Sequence, residues 1–313
     1  MRAASLTGQQ VVLHAFTKSS WAHSEPFVEV QTNVLRRARW PRGLEPWIVQ
    51  SRLSAIARHQ AAVQRGVRTY HGLHCSALDP TGTLRLHNPE SAYYRSLANQ
   101  SKGFKRLYYL FEAWALRRWE QELASAWTGP VHAITARDAE AWNLRSPRSP
   151  AAFVAPRHPF VRAIPHGPAA EPLVLVVGKF SVEENAAALR GLLAAQPAIE
   201  PLLFAGHNAP AGTKNYLDRP SDKELDELYA RAQVVVVHAE HQLGIKFKLI
   251  QALIQGRHIV AHEDAVAGLN LGLRVRTYRT WPEAYEAIRA AQAEPWTAAH
   301  AEEALRSAQA WQA

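Results

Sequence analysis

The sharpest pattern in the chain is a run of four valines, Val234 to Val237, that carries no polar position at all. A strand of that kind suits the middle of a parallel sheet covered on both faces. Gly244 follows, and then Ile245, Leu249, Ala252 and Leu253 recur at the spacing of one helix face before Gly256 and the apolar pair Ile259-Val260. The segment therefore predicts strand, glycine turn, helix, strand. The same alternation fills the rest of the second half. Strands are expected at Leu173 to Val177, Pro201 to Ala205, His258 to Ala261 and, more briefly, Leu273 to Val275. Helices are expected at Glu183 to Ala195 with Ser181 as N-cap, at Asp222 to Ala232, from Ile245, at Pro282 to Ala291 and at Ala298 to Ala310. Strand and helix in strict alternation give a doubly wound parallel sheet, whose ligands sit beyond the carboxyl ends of the strands. Gly178, Gly206 and Gly244 fall at such ends.

The first half is less regular but of the same kind. Val11 to Phe16, Pro46 to Val49, Arg68 to Tyr70, Leu84 to Leu86 and Val131 to Thr135 read as strands, and Ser51 to Gln64 as a helix. A long helix is expected from about Lys102 to Ala126, with Leu107, Leu110, Phe111 and Trp114 on one face and charges opposite. Between the halves, residues 145 to 172 hold seven prolines and little periodicity, as a connector would. We place the two domains at residues 1–165 and 166–313, which also fits the length of 313 residues.

Composition narrows the classes. No run of about twenty apolar residues appears, and the basic, polar start lacks the apolar stretch of a signal peptide, so the expected compartment is the cytoplasm. The single cysteine, Cys75, allows neither an intramolecular disulfide nor a cysteine-rich zinc site. A formal charge of +9 favours anionic partners. Arg36-Arg37-Ala38-Arg39-Trp40, continuing through Trp47 to Arg52, Arg58 and Arg65, mixes cations with large apolar side chains. It is either a solvated basic face or a surface for anionic headgroups or a polyanion backbone. No nucleic-acid-reading motif occurs, and no nucleic acid partner is expected.

Candidate chemistry gathers at strand ends. Lys246 and Lys248 fall in the first turn expected for the helix after Val237, where cations oppose the partial positive charge of the helix terminus. They are either solvated surface charges or part of an anion site that holds a group such as a diphosphate. Lys179, after Gly178, stands at another strand end near a second helix N-terminus, so the three lysines could converge on one diphosphate. His87, Asn88 and Glu90, with Tyr93 and Tyr94, follow a strand of the first half, and His71 and His74 do the same upstream. Such groups serve either sugar hydroxyls and proton transfer or turn capping. Neither a Walker loop, a Gly-x-Gly-x-x-Gly turn, a nucleophile elbow nor a His-Glu-x-x-His pair is present. No metal site is expected.

The stretch Gly244-Ile245-Lys246-Phe247-Lys248-Leu249 through Gln251 to Gly256-Arg257-His258, together with Gly178-Lys179-Phe180-Ser181 and Leu86-His87-Asn88 with Glu90, resembles the retaining GT-B glycosyltransferases of the family 4 type. The likeness spans about Val11 to Leu273. It implies two Rossmann-like doubly wound domains that clasp a nucleoside diphosphate sugar, here without the family's first strand-loop-helix unit. Gly178, Lys179, Gly244, Lys246, Lys248 and Gln251 would bind the donor, with Glu240 and Gln242 the nearest counterparts of the family's upstream glutamate. His87, Asn88 and Glu90 would be the catalytic positions on the acceptor side. Gln251 replaces the glutamate that usually holds the ribose, so a diol would be bound without charge assistance.

These readings lead to an expected transfer of a sugar to a hydroxyl on a glycan or lipid-linked acceptor, with retention, no metal and no cofactor beyond the sugar nucleotide, at a peripheral contact with anionic membrane. Two rivals stay open: a GT-B-shaped protein that binds a sugar nucleotide or partner without turnover, and a peripheral membrane- or polyanion-binding protein that uses the arginine-rich face.

Overall fold

The computed structural model describes residues 11–17, 28–34, 69–73, 80–154, 167–168, 171–194, 199, 201–239, 244–267, 269 and 272–312. The chain divides into two compact units, Met1–Val154 and Ala155–Ala313, with the division at Val154/Ala155 rather than at 165/166.

In the second unit, six parallel strands form one sheet. Numbered in chain order through the molecule, they are β7 (Leu173–Lys179), β8 (Leu202–His207), β9 (Tyr216–Asp218), β10 (Ala232–Val237), β11 (His258–His262) and β12 (Val275–Tyr278). Their spatial order is β12-β11-β10-β7-β8-β9. Strand order thus reverses between β7 and β10, which are hydrogen-bonded neighbours (Val236 opposite Val176) although β8 and β9 lie between them in the chain. At such a switch point the crossovers leave in opposite directions, so a crevice opens at the carboxyl ends.

The valine run explains why β10 is central. Its side chains alternate between two cores, and all four are fully buried. Val234 and Val236 join Val174, Val176, Phe204 and Val260 on one face, under α4 (Glu183–Ala194) and α7 (Trp281–Ala293). Val235 and Val237 join Leu175, Ile259 and Ala261 on the other, under α5 (Asp222–Arg231) and α6 (Phe247–Ile254). Each buried valine contributes roughly 1.5–3 kcal/mol, so the hydrophobic run and the two-faced burial require each other. A final helix, α8 (Ala298–Gln312), places Ala308 against Ile250 and Ile254 of α6.

The first unit carries a parallel four-stranded sheet in the order β3-β4-β5-β6. Its strands are β3 (Thr69–His71), β4 (Thr83–Leu86), β5 (Val131–Ala133) and β6 (Ala151–Phe153). Two further strands, β1 (Val11–Thr17) and β2 (Val28–Val34), pair with each other in parallel. Between β4 and β5 run α1 (Glu90–Gln100) and α2 (Gly103–Ala126), and α3 (Ala136–Asn143) precedes β6. The core joins Tyr70, Leu84, Leu86 and Val131 to Leu123, Trp127 and Trp142. The strand expected at Pro46 to Val49, the helix at Ser51 to Gln64 and the arginine-rich stretch from Arg36 lie outside the described residues.

Two local expectations are corrected. The helix after β10 starts at Phe247, not Ile245: Gly244 turns the chain at φ 63° and Lys246 is the N-cap in an extended conformation (φ −86°, ψ 101°). On α2, the stripe Leu107, Leu110, Phe111 and Trp114 is exposed, whereas the packed side is made of Ala113, Leu116, Leu123 and Ala124 with Glu112 and Glu120 buried among them.

Candidate functional site

The carboxyl ends of β7 and β10 and the helices that follow them bring together the residues on which the second unit's chemistry rests. Lys246 caps α6, and its ammonium bonds the Glu184 carboxylate on α4 at 3.2 and 3.3 Å. Both side chains are largely covered, at 17% and 19% exposure. One turn on, the Lys248 ammonium donates to Asn185 Oδ1 at 2.7 Å. Asn185 in turn donates from Nδ2 to the Lys179 carbonyl at 3.0 Å. Two lysines at one helix terminus are thus held, through two neighbouring residues of a second helix, against the end of β7.

Gly178 makes that arrangement possible. A Cβ there would lie 2.6 Å from Asn185 Cγ, so only glycine lets the asparagine lie over the strand end. Its ladder partner Gly206 has φ 148°, and a Cβ on it would meet the Gly178 carbonyl oxygen at 1.9 Å. Ser181 does not sit at the start of α4; its hydroxyl accepts a hydrogen bond from Asn208 at 3.4 Å.

Burial pushes the Lys248 amine down to about 8, with the Lys246 charge pulling the same way and the Glu184 carboxylate opposing them. A buried cation at a helix N-terminus with a lowered pKa is a site short of negative charge. Beside it, His238 follows β10 directly. Its ring stacks on Trp281 at 4.8 Å, and its Nδ1 shares a hydrogen bond with the Tyr278 hydroxyl at 2.8 Å. Burial first, then the His262 ring and the Lys248 charge, bring this imidazole down to about 4, so it is neutral at pH 7. Burial also raises the Tyr278 hydroxyl above its ordinary value, so it stays protonated.

Gln251 lies further along α6. It is buried and donates from Nε2 to Asp226 of α5 at 3.0 Å. Lys179 ends β7 with an exposed side chain and joins the cluster through its carbonyl. Glu240 and Gln242 lie outside the described residues. Of the six described donor-side positions, the structure joins Gly178, Lys179, Lys246 and Lys248 in one network, sets Gly244 as the turn that aims the lysines, and holds Gln251 on a separate partner. Reading the sequence missed Glu184, Asn185, His238 and Trp281. The Glu-Glu-Asn start of α4 was the available signal for the first two.

The first unit's candidates sit at the corresponding edge of its own sheet. His87 is the first residue after β4; it is exposed, and its ring is 5.7 Å from that of His71 at the end of β3. Burial, followed by the nearby His87 and Arg85, lowers the His71 pKa. Pro89 is the N-cap of α1 and Glu90 its first residue. Asn88 lines a small cavity of about 20 Å³ with Glu120, Asp138 and Trp142. Glu120, raised by burial, accepts from the Ser91 amide at 2.9 Å and from the Ser91 hydroxyl at 2.5 Å, and pairs with Arg145 at 3.1 Å. It anchors the start of α1 and so the segment that carries His87 to Glu90. His74 lies outside the described residues. Among the described residues, no group of three or more His, Cys, Asp or Glu is arranged to hold a metal ion, and no helix is long and apolar enough to cross a membrane.

No protein-family model matches the sequence, and no curated protein matches it. Solved structures do match. Sucrose-phosphate synthase from Thermosynechococcus elongatus aligns over 99% of this chain and 86% of its own at 16% identity, with a TM-score of 0.69. WaaG, a glycosyltransferase involved in lipopolysaccharide biosynthesis, aligns over 98% and 89% at 15% identity and a TM-score of 0.65. HepE of Anabaena, solved with UDP, aligns over 91% and 82% at 12% identity and a TM-score of 0.56. Identities this low speak for the fold: parallel sheets, the order reversal at β7/β10 and helices on both faces are those of the GT-B glycosyltransferase architecture.

Proposed function

We propose that the chain is a glycosyltransferase that moves a sugar from a nucleoside diphosphate sugar to a hydroxyl of a glycan or lipid-linked acceptor, with retained configuration and without a metal. The observation that carries this reading is the pair Lys246 and Lys248 at the N-terminus of α6, beside the switch point and largely covered against Glu184 and Asn185. A diphosphate there would receive two cations at the positive end of the helix dipole. As the sugar's anomeric bond to the donor breaks, negative charge grows on the departing diphosphate, and fixed cations stabilise that charge more than they stabilise the bound donor. The neutral His238 would offer a hydrogen bond without adding charge. His87, Asn88 and Glu90 would serve the acceptor.

Of the structures that resemble this chain, HepE is in complex with UDP, in one case with glucose as well, and a further one, LpCGTa, is in complex with UDP. UDP is therefore the first nucleotide to try. The rival reading, binding without turnover, draws on Gln251, whose amide is already engaged by Asp226. Thermal-shift screening against UDP, GDP, ADP, CMP and their sugar conjugates tests the site, with Lys246→Ala as control. A shift for one nucleotide that the variant loses supports the donor site, and sugar release or transfer from that conjugate separates enzyme from binder. No shift for any of them removes the proposal.

A further inference from the structure

Helix α2 has two apolar sides, and the fold uses one of them. Ala113, Leu116, Leu123 and Ala124 pack inward. At 100° per residue, Phe104, Leu107, Phe111 and Trp114 centre a second side, bordered by Tyr108 and Leu110, within about 15 Å of helix; of that side only the small Ala115 is covered. All six are exposed, with Phe104 at 91%, Leu107 at 62% and Trp114 at 49%. A contiguous stripe of this size on a folded surface marks an interface. Its borders name the partner. Lys102, Lys105, Arg106 and Arg117 are all exposed at its edges and end, whereas the one acidic residue between Lys102 and Arg118, Glu112, is buried. The Lys105 ammonium stands 5.7 Å over the Tyr109 ring, and the Phe111 and Trp114 rings lie 5.9 Å apart.

We propose that this stripe seats the protein on an anionic lipid bilayer, with α2 lying in the plane of the surface. Phe104, Leu107 and Phe111 would enter the boundary between headgroups and acyl chains, Tyr108 and Trp114 would keep their polar edges at headgroup depth, and the flanking cations would meet lipid phosphates. A second copy of the chain fits less well, because a two-fold contact through this stripe would bring its border of like charges together. The inference rests on α2 alone and is independent of the donor site.

Flotation of the full chain with vesicles of phosphatidylcholine alone, and of phosphatidylcholine mixed with phosphatidylglycerol, tests it. The protein is expected to float with the mixed vesicles and weakly or not at all with the neutral ones. The double variant Phe104→Ser/Leu107→Ser should lower the bound fraction at least about tenfold, since two apolar anchors are lost. The charge-reversal pair Lys105→Glu/Arg106→Glu should lower it by a similar factor, most at low salt. All four positions are exposed, so the thermal midpoint should hold in both variants. No flotation with either vesicle, flotation that Phe104→Ser/Leu107→Ser leaves intact, or a dimer that this variant dissociates without any vesicle binding would overturn the assignment.

Discussion

The carboxyl-end edges of the two sheets share an architecture and differ in their electrostatics. At the edge of the second unit, Lys246 and Lys248 are pulled into a covered network with Glu184 and Asn185, and the imidazole that follows β10, His238, is held neutral. At the edge of the first unit, His87 stands exposed near His71, and the covered carboxylates beneath, Glu120 and Asp138, are raised by burial. One edge gathers covered cations; the other presents imidazoles above covered carboxylates. A parallel sheet sets where a ligand can sit, and the first residues after each strand set what kind of ligand it is.

The division predicts that removing the cations destroys binding while removing the imidazole destroys only turnover. A hydrogen bond from a charged donor is worth about 1.5–3 kcal/mol, so Lys246→Ala/Lys248→Ala should weaken nucleotide affinity by roughly a thousandfold in calorimetric titration. An affinity reduced less than about tenfold would mean that the anion lies elsewhere. His87→Ala should lower the transfer rate by about a hundredfold, the lower range for a proton-transferring group, while the nucleotide dissociation constant stays within about twofold. Loss of nucleotide binding in His87→Ala would erase the distinction between the two edges.

The legible part of this arrangement was local. The all-valine β10 and the lysines after Gly244 could be read because strand, turn and helix start are adjacent in the chain. The extra two residues assigned to α6 came from Ile245, which packs against the α6–α8 cluster from the turn without being helical. Periodicity reports which residues share a side, not whether a residue has entered the helix. The same limit reversed α2: its strongest apolar stripe faces outward, and its packed side is alanine and leucine with two glutamates. Helix α1 buries only Ser91 and Ala98, and β9 has three residues, so neither carries a pattern to find. The partners of Lys246 and Lys248 stand 62 and 63 residues upstream, and no spacing rule links them until the pairing of β7 with β10 brings the first turns of α4 and α6 to one end of the sheet.

Protonation gives a graded version of the same contrast. The Lys248 amine is lowered to about 8 in the free protein, and a bound diphosphate favours its charged form, so binding takes up a proton once the pH exceeds that value. Nucleotide affinity should therefore be flat below about pH 7 and fall by up to about tenfold per unit above about pH 8. For folding the sign is opposite. The unfolded lysine keeps its ordinary pKa and binds more protons, so this group's contribution makes the fold more stable as the pH rises from about 8 toward 10.5. Thermal midpoints of wild type and Lys248→Met across that range would isolate the contribution, since the variant has no proton to lose there.

The smallest expected effect has the most direct bearing on how the second edge works. Glu184 neutralises Lys246 in the free protein, but it is also a negative charge that a diphosphate bound as proposed would have to displace. Each partner is about four-fifths covered, so the pair is worth more than a surface ion pair, on the order of 1 kcal/mol. Glu184→Gln keeps the shape and a hydrogen-bond acceptor while removing the competing charge. It should strengthen nucleotide binding about three- to fivefold, and the gain should shrink as salt screens the competition. A weaker affinity in Glu184→Gln would mean that the carboxylate positions Lys246 for the ligand rather than competing with it, and the two lysines would then be an aligned receptor rather than a latched one.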